Sequence, residues 1–146
     1  MIKAIELYLV TDKDGQAAVD FYAQVFEAKI LSKTTFGQAI PDCPEENKDL
    51  LLNAQLDING IRLQISDNNP EGYYVVGNNV SACLQVDDAD QARELFDKLA
   101  VEARHIEMEL QETPWSPAYG IIVDKFGLTW QINTDIGSFV SETVNF

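Results

Sequence analysis

Residues 124–134 read DKFGLTWQINT, a turn that runs into a strand with two unlike faces. Asp124, Phe126 and Gly127 supply the turn chemistry. Beyond it Leu128, Trp130 and Ile132 point one way and Thr129, Gln131 and Asn133 the other, the period of two of a strand with one apolar and one polar side. The apolar side belongs in a core. The polar side needs another reason to exist.

Residues 57–66, DINGIRLQIS, repeat the pattern at a shift of 67, which pairs Asp57 with Asp124, Gly60 with Gly127, Gln64 with Gln131 and Ile65 with Ile132. Further upstream, QAAVDFYAQVFEAK at 16–29 repeats as QARELFDKLAVEAR at 91–104, a shift of 75. Two modules in the same order are the economical explanation. The shift falls from 75 to 67, so the first module carries eight more residues between its helix and its final hairpin, and these lie in the irregular segment 36–49.

In module one, residues 2–10 alternate as a strand and 15–26 place Ala18, Phe21, Tyr22, Val25 and Phe26 on one helical face. A strand near 28–35 follows, and 50–57 with 60–66 form a hairpin across Ile58, Asn59 and Gly60. Module two repeats this with a strand at 79–86, a helix capped by Asp87, Asp88 and Asp90 and ending near 99 or 100, and a strand near 103–110. A proline-bearing loop at 112–119 leads to strands at 120–123 and 128–133. The expected organisation is one α+β domain of two βαβββ modules: module one about 1–67, a linker about 68–78, module two about 79–135 and a tail at 136–146 docked through Phe139, Val140 and Phe146.

The chain has 146 residues, enough to bury roughly two thirds of its unfolded surface. Ten basic residues against 24 acidic ones give a net charge of −14, which argues against nucleic acid and anionic membranes as partners. There is no apolar run of about 18 residues and no charged-then-apolar leader, so neither a membrane span nor a signal peptide is expected. Cys43 and Cys83 have no metal-ligand spacing and read as free thiols of a cytoplasmic protein.

With the paired modules, the helix DFYAQVFEA and the terminal YGIIVDKFGLTWQI in hand, the chain resembles the vicinal oxygen chelate superfamily of glyoxalases, bleomycin resistance proteins and dioxygenases. Trp115, Tyr119, Gly120, Asp124, Phe126, Gly127 and Trp130 are similar to the signature of its PhnB-like branch. The resemblance covers residues 2 to about 133. It implies a curved, barrel-like mixed sheet around a cavity with helices outside, and in metal-dependent members one ligand from the first and last strand of each module. Those positions are Glu6, Gln64, Ser81 and Gln131 here, a set with one carboxylate and no imidazole. No transition metal and no cofactor are expected of it.

Around the quartet, Tyr8 and Arg62 share the polar faces by alternation; Tyr8 either donates to a ligand or fills the sheet, and Arg62 either pairs with Glu6 or meets an anion. Trp115 and Tyr119 form a wall of the implied cavity or seal its end. Cys83 has the parity of Ser81, with no partner that marks a nucleophile, and His105, the one histidine, reads as a strand-edge residue. Three functions remain open. The first is binding of a small organic ligand, cationic or partly aromatic, with Gln64, Ser81, Gln131, Arg62, Trp115 and Tyr119 as its contacts. The second is an enzyme on a small oxygenated substrate, with Glu6 as base and Tyr8 or Arg62 as electrophile. The third is a dimeric interaction module. A homodimer is expected in any case, since half-barrel sheets leave edges and apolar surface, and Tyr73 and Tyr74 would form a subunit contact or a lid.

Overall fold

The computed structural model describes residues 1–143, so Phe146 lies outside the described residues. The chain divides into two compact units, Met1–Val75 and a second that begins at Val76. In the first unit the elements are β1 (Leu7–Thr11), α1 (Gly15–Val25), β2 (Lys29–Thr35), the short α2 (Phe36–Ala39), a 3-10 turn (Glu45–Asn47), β3 (Leu51–Ile58) and β4 (Ile61–Asp67). In the second they are β5 (Ala82–Val86), α3 (Ala89–Leu99), β6 (His105–Thr113), β7 (Ser116–Val123) and β8 (Thr129–Thr134).

Each unit is a four-stranded mixed sheet, ordered β1-β4-β3-β2 in one and β5-β8-β7-β6 in the other. In both, the first strand runs parallel to the last and the remaining neighbours are antiparallel. The register repeats as well. Tyr8 lies opposite Gln64 and Cys83 opposite Gln131, which is what shifts of 75 and 67 require. Neither sheet closes on itself, and the edge strand β2 carries Lys29 and Lys33, charges that discourage further strand pairing.

One face of each sheet is covered by its helix. In the first unit Ala18, Val19, Tyr22 and Val25 of α1 are buried with Leu9, Ala54, Leu56, Leu63 and Ile65, and in the second Ala92, Phe96 and Leu99 of α3 with Ile122, Trp130 and Ile132. Each large side chain so buried contributes about 1.5–3 kcal/mol. The start of α1 is held from another strand, because Asp67 Oδ1 accepts from the Gly15 amide at 2.9 Å and the Thr11 hydroxyl at 2.9 Å. In α3 the cap is local, with Asp88 accepting from the amides of Asp90 and Gln91.

The two equivalent hairpins are built by different chemistry. Asn59 and Gly60 both have positive φ, 50° and 87°, the two-residue turn expected of Asn-Gly. At the other, Gly127 has φ 90° and the buried Asp124 carboxylate accepts from the amides of Phe126 and Leu128 and from the Trp130 indole.

Three segments differ from the sequence expectation. β1 begins at Leu7, opposite Leu63, rather than at residue 2, and continuing that register would carry residues 2–4 past the start of β4 at Ile61. β5 begins at Ala82, opposite Trp130, rather than at 79, and residues 79 and 80 would likewise fall before the start of β8 at Thr129. Residues 112–119 form no long loop: β6 reaches Thr113, β7 starts at Ser116, and only Pro114 and Trp115 turn between them. Pro117 is tolerated inside β7 at a register irregularity. There the Ser116 hydroxyl does the work of a missing ladder, donating to the Ala118 and Thr134 carbonyls and accepting from the Thr134 amide.

Candidate functional site

The face of each sheet that turns away from its helix carries the polar residues. In the first unit Arg62, Gln64 and Ser66 alternate along β4, flanked by Glu6 and Tyr8 on one side and Asn53 and Gln55 on the other. Gln64 lies at the centre. Its Nε2 donates to Glu6 Oε2 at 3.0 Å and its Oε1 accepts from Asn53 Nδ2 at 3.2 Å. Asn53 Nδ2 also reaches the Tyr8 hydroxyl at 3.2 Å.

Arg62 grips Glu6 with both prongs, Nε to Oε2 at 2.8 Å and Nη2 to Oε1 at 2.7 Å, and reaches Gln55 Oε1 at 3.2 Å with Nη1. The Arg62 hydrogen bonds, followed by the one from Gln64, hold the Glu6 carboxyl below its ordinary value of 4.5, and Glu6 raises the Arg62 guanidinium in return. A carboxylate so stabilised is a weak base. Of the alternatives open for Arg62, the structure brings it to Glu6.

The second unit repeats the arrangement with other residues. Gln131 Nε2 donates to Ser81 Oγ at 2.9 Å, and its Oε1 accepts from the Tyr119 hydroxyl. Ser81 stands 75 residues from Glu6, and Tyr119 stands 66 from Asn53, the shift that the hairpin registers give for Gln55 and Ile121. Each unit therefore holds one glutamine between a donor on its third strand and an acceptor at its first. Trp115 packs edge-on against Tyr119, ring centres 5.4 Å apart, and is 46% exposed.

Beside this trio, Asn133 Nδ2 donates to Gln85 Oε1 at 2.8 Å and Gln85 Nε2 to Cys83 Sγ at 3.4 Å. Packing around the Cys83 sulfur pushes its thiol above the ordinary value, and burial does the same to the Tyr119 phenol. Both groups stay protonated at neutral pH. His105 is exposed at the first position of β6.

Glu6, Tyr8, Arg62 and Gln64 thus meet in one unit, and Ser81, Trp115, Tyr119 and Gln131 in the other. Asn53 and Gln55 were not singled out from sequence. The alternation Asn53, Gln55, Asp57 opposite Gln64 across the Asn-Gly hairpin is the signal that finds them.

These donors do not fit a transition-metal ion. Both Glu6 oxygens are engaged by Arg62, the two glutamine oxygens already accept from Asn53 and Tyr119, and Ser81 offers only a hydroxyl. Among the described residues no three His, Cys, Asp or Glu side chains cluster as a metal site, and no helix is long and apolar enough to cross a membrane.

Comparison with known proteins gives a consistent result. The sequence model of the glyoxalase/bleomycin resistance protein/dioxygenase superfamily matches residues 4–132. Protein YjdN of Escherichia coli (strain K12) is 29% identical over 126 residues, 80% of this chain and 84% of that protein. The solved structure of protein PA1353 from Pseudomonas aeruginosa matches with a TM-score of 0.80 at 28% identity, over 90% of this chain and 98% of that one. A PhnB protein from Bacillus cereus matches in fold, with a TM-score of 0.73 at 22% identity, over 90% and 99% of the two chains.

Proposed function

Because the chain belongs to the glyoxalase/bleomycin resistance protein/dioxygenase superfamily, we propose that it binds a small, neutral organic molecule on the polar faces of its sheets, without a transition metal. The duplicated glutamine arrangement carries this reading. A glutamine amide has two N–H groups and two acceptor lone pairs. Gln64 and Gln131 each use one N–H and one lone pair on their neighbours, which fixes the orientation of the amide and leaves one of each for a ligand. An oriented donor beside an oriented acceptor suits a carboxamide or a lactam, neutral groups that offer the complementary pair. In the first unit Tyr8 adds a hydroxyl beside Gln64, and in the second Trp115 adds a flat apolar surface beside Tyr119.

The Glu6–Arg62 pair turns this reading away from a cationic ligand, since the carboxylate already has its counter-charge. It also weighs against Glu6 as a catalytic base. Glu6 and Arg62 are positioning groups in this reading: they hold the Gln64 amide from one side while Asn53 holds it from the other.

A thermal-shift screen of carboxamides, carboxylic acids, cationic aromatics, dicarbonyls and catechols tests the proposal, because a ligand selective for the native state raises the melting temperature. Stabilisation by the neutral amides, lost in Gln64→Leu and Gln131→Leu, is the expected result. Stabilisation confined to cationic compounds and lost in Glu6→Gln overturns the neutral-ligand reading. Turnover of any compound, abolished by the same variant, replaces binding with catalysis. Elemental analysis of tag-free protein, expected to find far less than one transition metal per chain, tests the metal-free part.

A further inference from the structure

The extra residues of the first unit wall a groove. Phe36 of the short α2, Ile40 just after it, Cys43, Pro44 and Asn47 from the irregular segment, Leu52 of β3, and Pro70 beyond β4 line a groove of ≈ 490 Å³. Its polar lining is mostly committed elsewhere. Asp67 accepts from Thr11, Gly15 and Leu51, and Asn69 Oδ1 from the Glu71 amide. What faces the space is largely apolar, and its volume lies in the range of small-molecule sites.

One residue belongs both to the groove wall and to the glutamine face. Ser66 lines the groove, and by strand alternation Ser66 shares the face of Gln64 and Arg62, next along β4 from Gln64. Its Oγ makes no hydrogen bond among the described residues, whereas its carbonyl accepts from Thr11. A free hydroxyl thus stands where the polar face meets the apolar groove. We propose that this groove is the subsite for the apolar body of an amphipathic ligand whose amide-like head lies on Gln64, with Ser66 at the junction. The ligand class is a carboxamide or lactam bearing an alkyl or aryl tail. The head placement rests on the function proposed above; the tail placement rests on the groove alone.

Cys43, half-buried in the groove wall, provides a reporter. The experiment titrates the protein with butanamide, hexanamide and octanamide, measuring affinity by calorimetry and, in parallel, the rate of Cys43 alkylation by iodoacetamide, resolved from Cys83 by peptide mass spectrometry. Each methylene that enters the groove should tighten binding about three- to fourfold. Octanamide should slow Cys43 alkylation at least fivefold, and Leu52→Asn should flatten the dependence on chain length.

Amides that shift the Gln64 side-chain resonances with no dependence on tail length and no protection of Cys43 overturn the groove while leaving the glutamine face standing. A tail dependence and Cys43 protection that survive Gln64→Leu support the groove and overturn the head placement. Absence of binding by all three amides overturns the inference.

Discussion

Asp124 and Asp57 occupy equivalent places in the two units, and removing each carboxylate should have very different consequences. Asp124 is fully buried and satisfies two backbone amides and the Trp130 indole. Asp124→Ala leaves three buried donors without an acceptor, each worth about 1–3 kcal/mol and not fully additive, so a loss of about 3–5 kcal/mol is expected. Asp57 accepts from the Gly60 amide, in an exposed turn that the Asn59 and Gly60 backbone already favours. Asp57→Ala should cost about 0.5–1 kcal/mol. Urea unfolding of the two variants and the parent, followed by tryptophan fluorescence and far-UV circular dichroism, measures both. Equal losses at the two positions, or an Asp124→Ala loss below about 1 kcal/mol, would refute the assignment of the hairpin at 124–128 to carboxylate capping.

Glu6 should titrate below 4.5, and Arg62→Met should return it toward that value, read from the side-chain carboxyl carbon by NMR. Because the folded value is depressed, this pair's contribution to stability is present in full above the ordinary value and disappears as pH falls through the lowered one. Arg62→Met should therefore lose less stability than the parent on acidification below about 4.5. Gly120→Ala should cost about 1–3 kcal/mol in denaturant unfolding, because a Cβ there meets Phe96 Cε2 at 2.8 Å and the Leu110 Cα at 3.1 Å; the equivalent Ala54 already carries one. We propose a homodimer, on the exposed Ile2, Ile5, Ile61 and Tyr73 of the first unit and Val76 and Val80 of the second. Light scattering should give a mass near twice 16.3 kDa; a mass near 16.3 kDa across micromolar concentrations would rule the dimer out.

The repeat made most of the fold legible. Once Gln64 and Gln131 align, the period of two assigns the faces and the paired shifts match the elements of one module to those of the other, so Glu6 pairs with Ser81 and Gln64 with Gln131, while the grouping of the four comes from the family resemblance. What alternation cannot provide is the rotamer. It places Arg62 on the face of Glu6, but only the folded side chains show the two-pronged grip. Residues 112–119 read as a loop because Pro114 and Pro117 fall within them, ahead of Tyr119, and the Ser116 hydroxyl that lets β7 absorb a proline leaves no trace in local propensity. The segment 36–49 reads as irregular from its Pro, Asp, Glu and Asn content, which is true of its backbone and silent about the groove. That residues 2–4 and 79–80 lie beyond the starts of β4 and β8 depends on the register with a partner strand, a nonlocal fact.

The most direct test of ligand recognition by the paired glutamines is a ¹H–¹⁵N titration that follows the side-chain amide resonances of Gln64 and Gln131, using the compound that gives the largest thermal shift. Saturable movement of the Gln64 and Gln131 Nε2 resonances, with the α1 and α3 amides unmoved, is the expected result. Saturable binding that shifts helix amides and leaves both glutamine side chains in place would contradict it.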